Sequence, residues 1–268
     1  MELLRLLPQQ RALYDMPRDM DRFRAYIAQM TGGSDDILLP IGAMNPMGKD
    51  KAVAAYDSLL AVQAEDVAER TLESARHRLS AIRGSLRVAV VVLDDAQGMW
   101  SSADEGESSQ WESDALAKRG FAVAQFLSSK APYTAAKVGP AVLAAVYNSA
   151  WLQSHGVPKT LGDVLQQVGF RAAFAGLKPA LGADALAHAS CIVAAHLSAR
   201  AKSPEAYAAM FGDEQARARG ITPLGLPARA GFELALAQAL GSTKTPETAL
   251  QLGAPAPSPP RMTKDVRS

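Results

Sequence analysis

Within five residues this chain places an asparagine, a glycine and a lysine: Asn45, Gly48 and Lys49 lie in the loop-like stretch Gly42-Ala43-Met44-Asn45-Pro46-Met47-Gly48-Lys49-Asp50. Such a set can hold an anion. Backbone N–H groups around a glycine, at the start of a helix, face negative charge, the asparagine amide adds a donor, and the lysine adds a cation. The stretch departs from the phosphate loop of nucleotide hydrolases, which runs Gly, four residues, Gly, Lys, then Ser or Thr. Here five residues separate Gly42 from Gly48, and Asp50 replaces the hydroxyl that would hold magnesium. A carboxylate there repels phosphate, so that class of hydrolase is excluded. The competing local reading is that Gly48 makes a turn and Asp50 caps the next helix. Lys49 at a helix start opposes the helix dipole, a local conflict of the kind that can mark function.

A second candidate lies further along. Asp94 and Asp95 directly follow the most strongly strand-like run, and ligands of covered α/β sheets bind outside strand carboxyl ends. Either aspartate could act as a general base or as ligand to a hard cation. Between Val88 and Ala117 there are seven acids and no Lys or Arg, with Trp100 and Trp111 among them. Segment 94–113 is therefore expected to be a loop: either a solvated surface connection, or a mobile lid anchored by its tryptophans. The acids lack the ordered spacing of a calcium loop, so no metal is expected.

The histidines and the cysteine carry less. His188, Cys191 and His196 share one predicted helix, but positions i and i+8 point about 80° apart, too wide an arc for one zinc. Cys191, flanked by Ala189, Ile192, Val193 and Ala194, is expected to be a buried small hydrophobe. His155-Gly156 reads as a helix end with a left-handed cap, and His77 as exposed. Neither a Gly-x-Ser-x-Gly nucleophile elbow nor a dinucleotide-binding glycine fingerprint is present.

The elements that must position these residues follow from periodicity. Leu3 to Met30 reads as one or two helices, with Pro17 at a first helical position. Ile37 to Ile41 reads as a short or edge strand. Helices are expected over Lys51–Leu60 and Glu65–Ile82, the latter capped by Asp66. Arg87–Leu93 is an unbroken apolar run typical of a strand buried on both faces, and Phe121–Leu127 is a weaker strand. Further helices are expected over Tyr133–Ser154, Leu161–Ala175, Asp184–Ala201, Pro204–Met210, Asp213–Arg219 and Arg229–Leu240. From Gly241 the chain is proline-rich and reads as a flexible tail. Few strands can stand only if helices cover them. The expected architecture is α/β and helix-dominated, a small covered sheet of few strands inside a helical shell, with one domain over 1–240 and a tail over 241–268.

Composition narrows the function classes. The 268 residues include 51 alanines, the best helix former, and 48% are hydrophobic. A single cysteine excludes a disulfide scaffold. A net charge of +1 removes any global electrostatic case for nucleic acid or an anionic membrane. No apolar run reaches the roughly 18 residues of a membrane span. The leucine-rich start, cut short by Pro8-Gln9-Gln10-Arg11, lacks the form of a secretory signal, which together with the lone cysteine points to the cytoplasm.

The segment Ala43-Met44-Asn45-Pro46-Met47-Gly48-Lys49-Asp50, the valine-rich strand, and the pairs His155-Gly156 and Thr160-Leu161 resemble features of uncharacterised bacterial proteins over about residues 15–240. That resemblance implies one domain of bacterial origin and no activity. From the residues themselves we expect a binding protein for a small, anionic molecule, with or without catalysis, with its site at strand carboxyl ends. Asn45, Gly48, Lys49 and Trp100 would bind the ligand, and Asp94 or Asp95 would handle a proton; no cofactor is indicated. The alternative is a non-catalytic scaffold whose Ala-rich helices bind a partner or a second copy of the chain.

Overall fold

A computed structural model describes residues 1–80, 84–96 and 101–251. Helices dominate it, around a three-stranded parallel sheet. The central strand, β2 (Arg87–Leu93), and the edge strand β3 (Phe121–Leu127) fall where the sequence places them. From Val88 on, β2 is buried, as its unbroken valine run requires. The register Val88↔Ala122 through Phe126↔Val92 puts Val88, Val90 and Val92 on one face with Ala122, Ala124 and Phe126. On the other face Val123, Gln125 and Leu127 are only half-buried.

The third strand was not expected. β1 (Glu2–Leu4) pairs Leu3 with Val88 and Leu4 with Ala89, where the leucine-rich start reads as helix. Three residues are too few to show a period, and the strand exists only because β2 offers it an edge. Helix α1 (Leu7–Leu13) follows, and α2 (Met20–Thr31) has Asp19 as its N-cap, so its first residue stands three past the proline expected to start it. Segment 37–41 is not a strand. The Leu38 and Leu39 N–H groups both donate to the Met30 carbonyl, so the segment folds back over the end of α2 instead.

Helices α3 (Asp50–Ala61) and α4 (Ala64–Arg78) lead to β2. Their N-caps are Lys49 and Gln63, neither with a side-chain cap bond, so Asp50 and Asp66 sit in first turns and not at the caps expected for them. Between β2 and β3 lie α5 (Ala103–Glu112) and the single turn α6 (Ala115–Lys118). The 21-residue α7 (Ala135–His155) then crosses behind the sheet. Behind it come α8 (Leu161–Phe174), α9 (Ala183–Ala194), α10 (Pro204–Phe211), α11 (Asp213–Ala218), α12 (Ala230–Leu240) and α13 (Pro246–Gln251). Thr160 caps α8 in a reciprocal box with Asp163, and Ser203 caps α10 ahead of Pro204.

Two hydrophobic clusters result. One surrounds the sheet and draws on α1 to α4 and α7; the other is built from α8, α9, α10 and α12 with Trp111 of α5 and Leu226. Alanine-rich helices can approach closely, and Gly169 shows how closely: a Cβ there would lie 2.3 Å from the Ala235 carbonyl oxygen of α12. Helix α13 corrects the expected tail. Leu250 is fully buried in the sheet-side cluster, so the packed chain extends at least ten residues past Leu240. Cys191 is likewise exposed, not buried, on α9. Among the described residues no helix is long and apolar enough to cross a membrane.

Candidate functional site

Four of the six residues expected at the site meet at the carboxyl end of the sheet. Asp94, the residue after β2, is 5% exposed. Its Oδ2 accepts from Asn45 Nδ2 at 2.8 Å and its Oδ1 from Ser128 Oγ at 2.7 Å. Asp95 accepts from the Ser129 N–H at 2.9 Å and from Ser129 Oγ at 2.6 Å. Gly48 faces the same carboxylate: a Cβ at that position would lie 3.0 Å from Asp94 Oδ2. Loops from three distant parts of the chain are thus knotted together by one buried aspartate.

The loop that holds Asn45 is rigid for identifiable reasons. Asn45 Oδ1 accepts from the Met47 N–H at 3.0 Å, while Tyr14 donates its hydroxyl to the Asn45 carbonyl at 2.6 Å. Arg22, itself buried, donates to the carbonyls of Met16 and Tyr14, and reaches Pro46 at 3.4 Å. Met44 is fully buried. Burial, with the nearby Asp94 charge as a second cause, pushes the Tyr14 hydroxyl well above its usual range, so it stays protonated and keeps donating.

Chemically, this constellation has its anion already. The carboxylate of Asp94 occupies the place beside Gly48 and Asn45 that the sequence offers to a ligand. Lys49 is exposed and makes no ion pair among the described residues. Trp100, the expected lid anchor, lies outside the described residues. Among them no group of three or more His, Cys, Asp or Glu could hold a metal.

Segment 101–113 differs from the loop expected there. Ser102 caps α5 in a reciprocal box with Glu105, and Trp111 is 3% exposed, packed 5.8 Å from Phe232 and 6.1 Å from Phe211. The acids are held rather than solvated. Asp104 bonds the Tyr207 hydroxyl and pairs with Arg219 at 2.6 Å; Glu107 pairs with Arg171 at 2.6 Å. Burial pushes the Glu107 carboxyl up, but Arg171 and Arg229 more than offset this and hold it below the usual carboxylate range. A mobile lid over 101–110 is therefore not what the described residues form.

The same contacts outline a cleft that the sequence reading missed, about 340 Å³ in volume, between β3, α7, α8 and α12. Its charged lining is Lys137, Arg171 and Arg229 against Glu107 and Glu233. Arg171 is nearly spent, since Nη1 donates to Gln110 Oε1 at 2.7 Å and Nη2 to Glu107. Arg229 is not. Its ion pair with Glu107 is a loose 3.5 Å, and its guanidinium lies 4.1 Å over the Phe232 ring. Lys137, exposed in the first turn of α7, makes no ion pair among the described residues.

Arg229 is also backbone-strained. Its φ of 59° puts a long side chain in the left-handed region, and it occupies the N-cap of α12 with no acceptor to offer. Such conformations cost on the order of 1–3 kcal/mol and cluster at functional positions. Two signals could have led here from the sequence: the Ser102-to-Glu105 spacing, which is a capping box, and an arginine where a helix start wants an acceptor. Nothing in the sequence marks Arg171. Compared with protein-family models, curated proteins and solved structures, the chain matches none.

Proposed function

We propose that this protein binds a small anionic molecule, and that it does so in the cleft beside β3 rather than at the Asp94 knot. One observation carries the reading. Three cations face two carboxylates across the cleft, which leaves one positive charge uncompensated. The surplus sits on Lys137 and Arg229, both exposed at the cleft, where an anion arriving from solvent can meet it. The strain held at Arg229 supports the same reading: its left-handed backbone would suit a glycine, and this chain carries a guanidinium there. Asp94 and Asp95 do not line this cleft. Their part is to tie the carboxyl end of β2 to Ser128 and Ser129, which follow β3 and lead to α7.

The test is a thermal-shift screen of small anions on the wild type and on Arg229→Gly, a change the backbone accommodates. Anions that stabilise the wild type and lose that effect in the variant support the reading. Anions that stabilise both proteins equally, or a screen in which no anion acts, overturn it.

A further inference from the structure

We infer that the ligand of this cleft is a monocarboxylate on a compact apolar body, an aromatic or branched aliphatic acid. The inference rests on the anion reading above and narrows it. The charge count sets the valence. Lys137, Arg171 and Arg229 exceed Glu107 and Glu233 by one, so a single negative charge neutralises the cleft. A phosphate monoester carries about −1.5 to −2 near neutral pH and would leave excess negative charge next to Glu107.

Donor geometry selects the same group. A guanidinium presents parallel N–H groups that match a carboxylate edge. Arg229 is the arginine with such groups to spare, since it touches Glu107 only at 3.5 Å. Phe232, 4.1 Å beneath it, holds the guanidinium plane in place before any ligand arrives. A carboxylate already pairs with an arginine in this cleft: Glu107 accepts from Arg171 Nη2 at 2.6 Å, while Nη1 goes to Gln110. The ligand carboxylate would take the free side of Arg229 together with the Lys137 ammonium.

Apart from the charged groups and the amides of Gln110 and Gln125, the lining of the cleft is apolar. Val123, Ala141, Ala144, Val168 and Phe232 form its walls, and Leu177, 45% exposed, stands at its edge. None of these offers a hydrogen bond and the lining adds only two amides, so a sugar or a polyol would lose most of its hydration without replacement. The volume of about 340 Å³ lies at the small end of ligand clefts, which favours a single ring or a short branched chain over a long acyl tail.

Isothermal titration of the full chain tests this with four probes: benzoate, 4-methylpentanoate, benzamide and inorganic phosphate. Both carboxylates are expected to bind, benzamide at least about tenfold more weakly than benzoate, and phosphate not to compete. Arg229→Gly should weaken benzoate by at least about tenfold with the melting curve unmoved, and Lys137→Gln by several-fold. Lys137 is exposed and unpaired among the described residues, so its variant tests binding without a folding risk. Phosphate binding that depends on Arg229, without carboxylate binding, overturns this inference and leaves the anion reading standing. Benzamide binding as well as benzoate overturns both. Carboxylate binding that neither variant weakens, or no binding by any probe, overturns the inference.

Discussion

Two helices of this protein begin with a cation at the N-cap, and the two starts have opposite fates. At α3, Lys49 follows a loop in which Asn45 and Gly48 enclose the Asp94 carboxylate. At α12, Arg229 faces a cleft in which one glutamate is shared between two arginines. The first cradle has been closed by an anion from within the chain, with Asn45 and Asp94 satisfied. The second is short of one negative charge and keeps a strained residue. A pattern that looks receptive in sequence can thus be complete in the fold, while a receptive cleft can be assembled from residues that share no pattern at all.

The sharpest way to break this contrast is Glu107→Gln. It leaves Arg171, 8% exposed in its side chain, without its counter-charge. Removing one partner of a buried pair costs about 3 kcal/mol, readable by urea unfolding. The cleft would then carry two surplus positive charges, so inorganic phosphate should begin to bind in titration. The same residue gives a pH dependence. Its folded pKa lies below the unfolded value, so the stability it contributes is present above about pH 4–5 and is lost as pH falls through the folded pKa. Wild-type unfolding free energy should therefore drop more steeply between about pH 5 and pH 3 than that of Glu107→Gln.

Asp94→Ala should cost somewhat less, about 2 kcal/mol, by leaving the Asn45 amide and the Ser128 hydroxyl without their acceptor. Benzoate affinity should stay within about twofold, since Asp94 does not line the cleft. A loss of binding that exceeds the loss of stability would merge the two regions into one site. Gly48→Ala is a milder probe of the same knot. Its methyl would press on Asp94 Oδ2, Ala52 Cβ and the Asn45 carbonyl at 3.0–3.1 Å, for about 1 kcal/mol of overpacking in a calorimetric scan. The smallest stability effect belongs to Arg229→Gly. Relief of the left-handed backbone and loss of the Phe232 contact nearly cancel, so the unfolding free energy should change by no more than about 0.5 kcal/mol. A large drop would make Arg229 a structural residue.

What could be read in the sequence was what local pattern determines. The valine run of β2 and the strand at 121–127 stand at their expected limits, and Ser203-Pro204 starts a helix where such a pair should. Asp94 and Asp95 were placed at a strand end for a sound reason, and Asn45 and Gly48 did come to meet Asp94. What could not be read depended on partners far along the chain. β1 is a strand only beside β2. The acids of 104–107 look solvated until Arg171, Arg219 and Arg229 arrive from the helical cluster. Leu250 looks like part of a tail until it is seen in the sheet-side core. Charge pairing and core membership are properties of the assembled fold, and a window of sequence does not contain them.

Gly169 gives the cleft its gauge. At Gly169 the α8 backbone rests directly on the Ala235 carbonyl, so at that point no side chain separates the helix that carries Arg171 from the helix that Arg229 starts, and none can be swapped there to tune their separation. The distance between the two guanidinium groups is thereby tied to a backbone contact. Under the binding reading proposed above, descendants of this chain could change the walls of the cleft freely, residue by residue, and so trade one apolar body for another. They could not easily widen the grip itself. A lineage built on this contact would be expected to diversify in what its ligands carry, and to hold constant the group by which they are held.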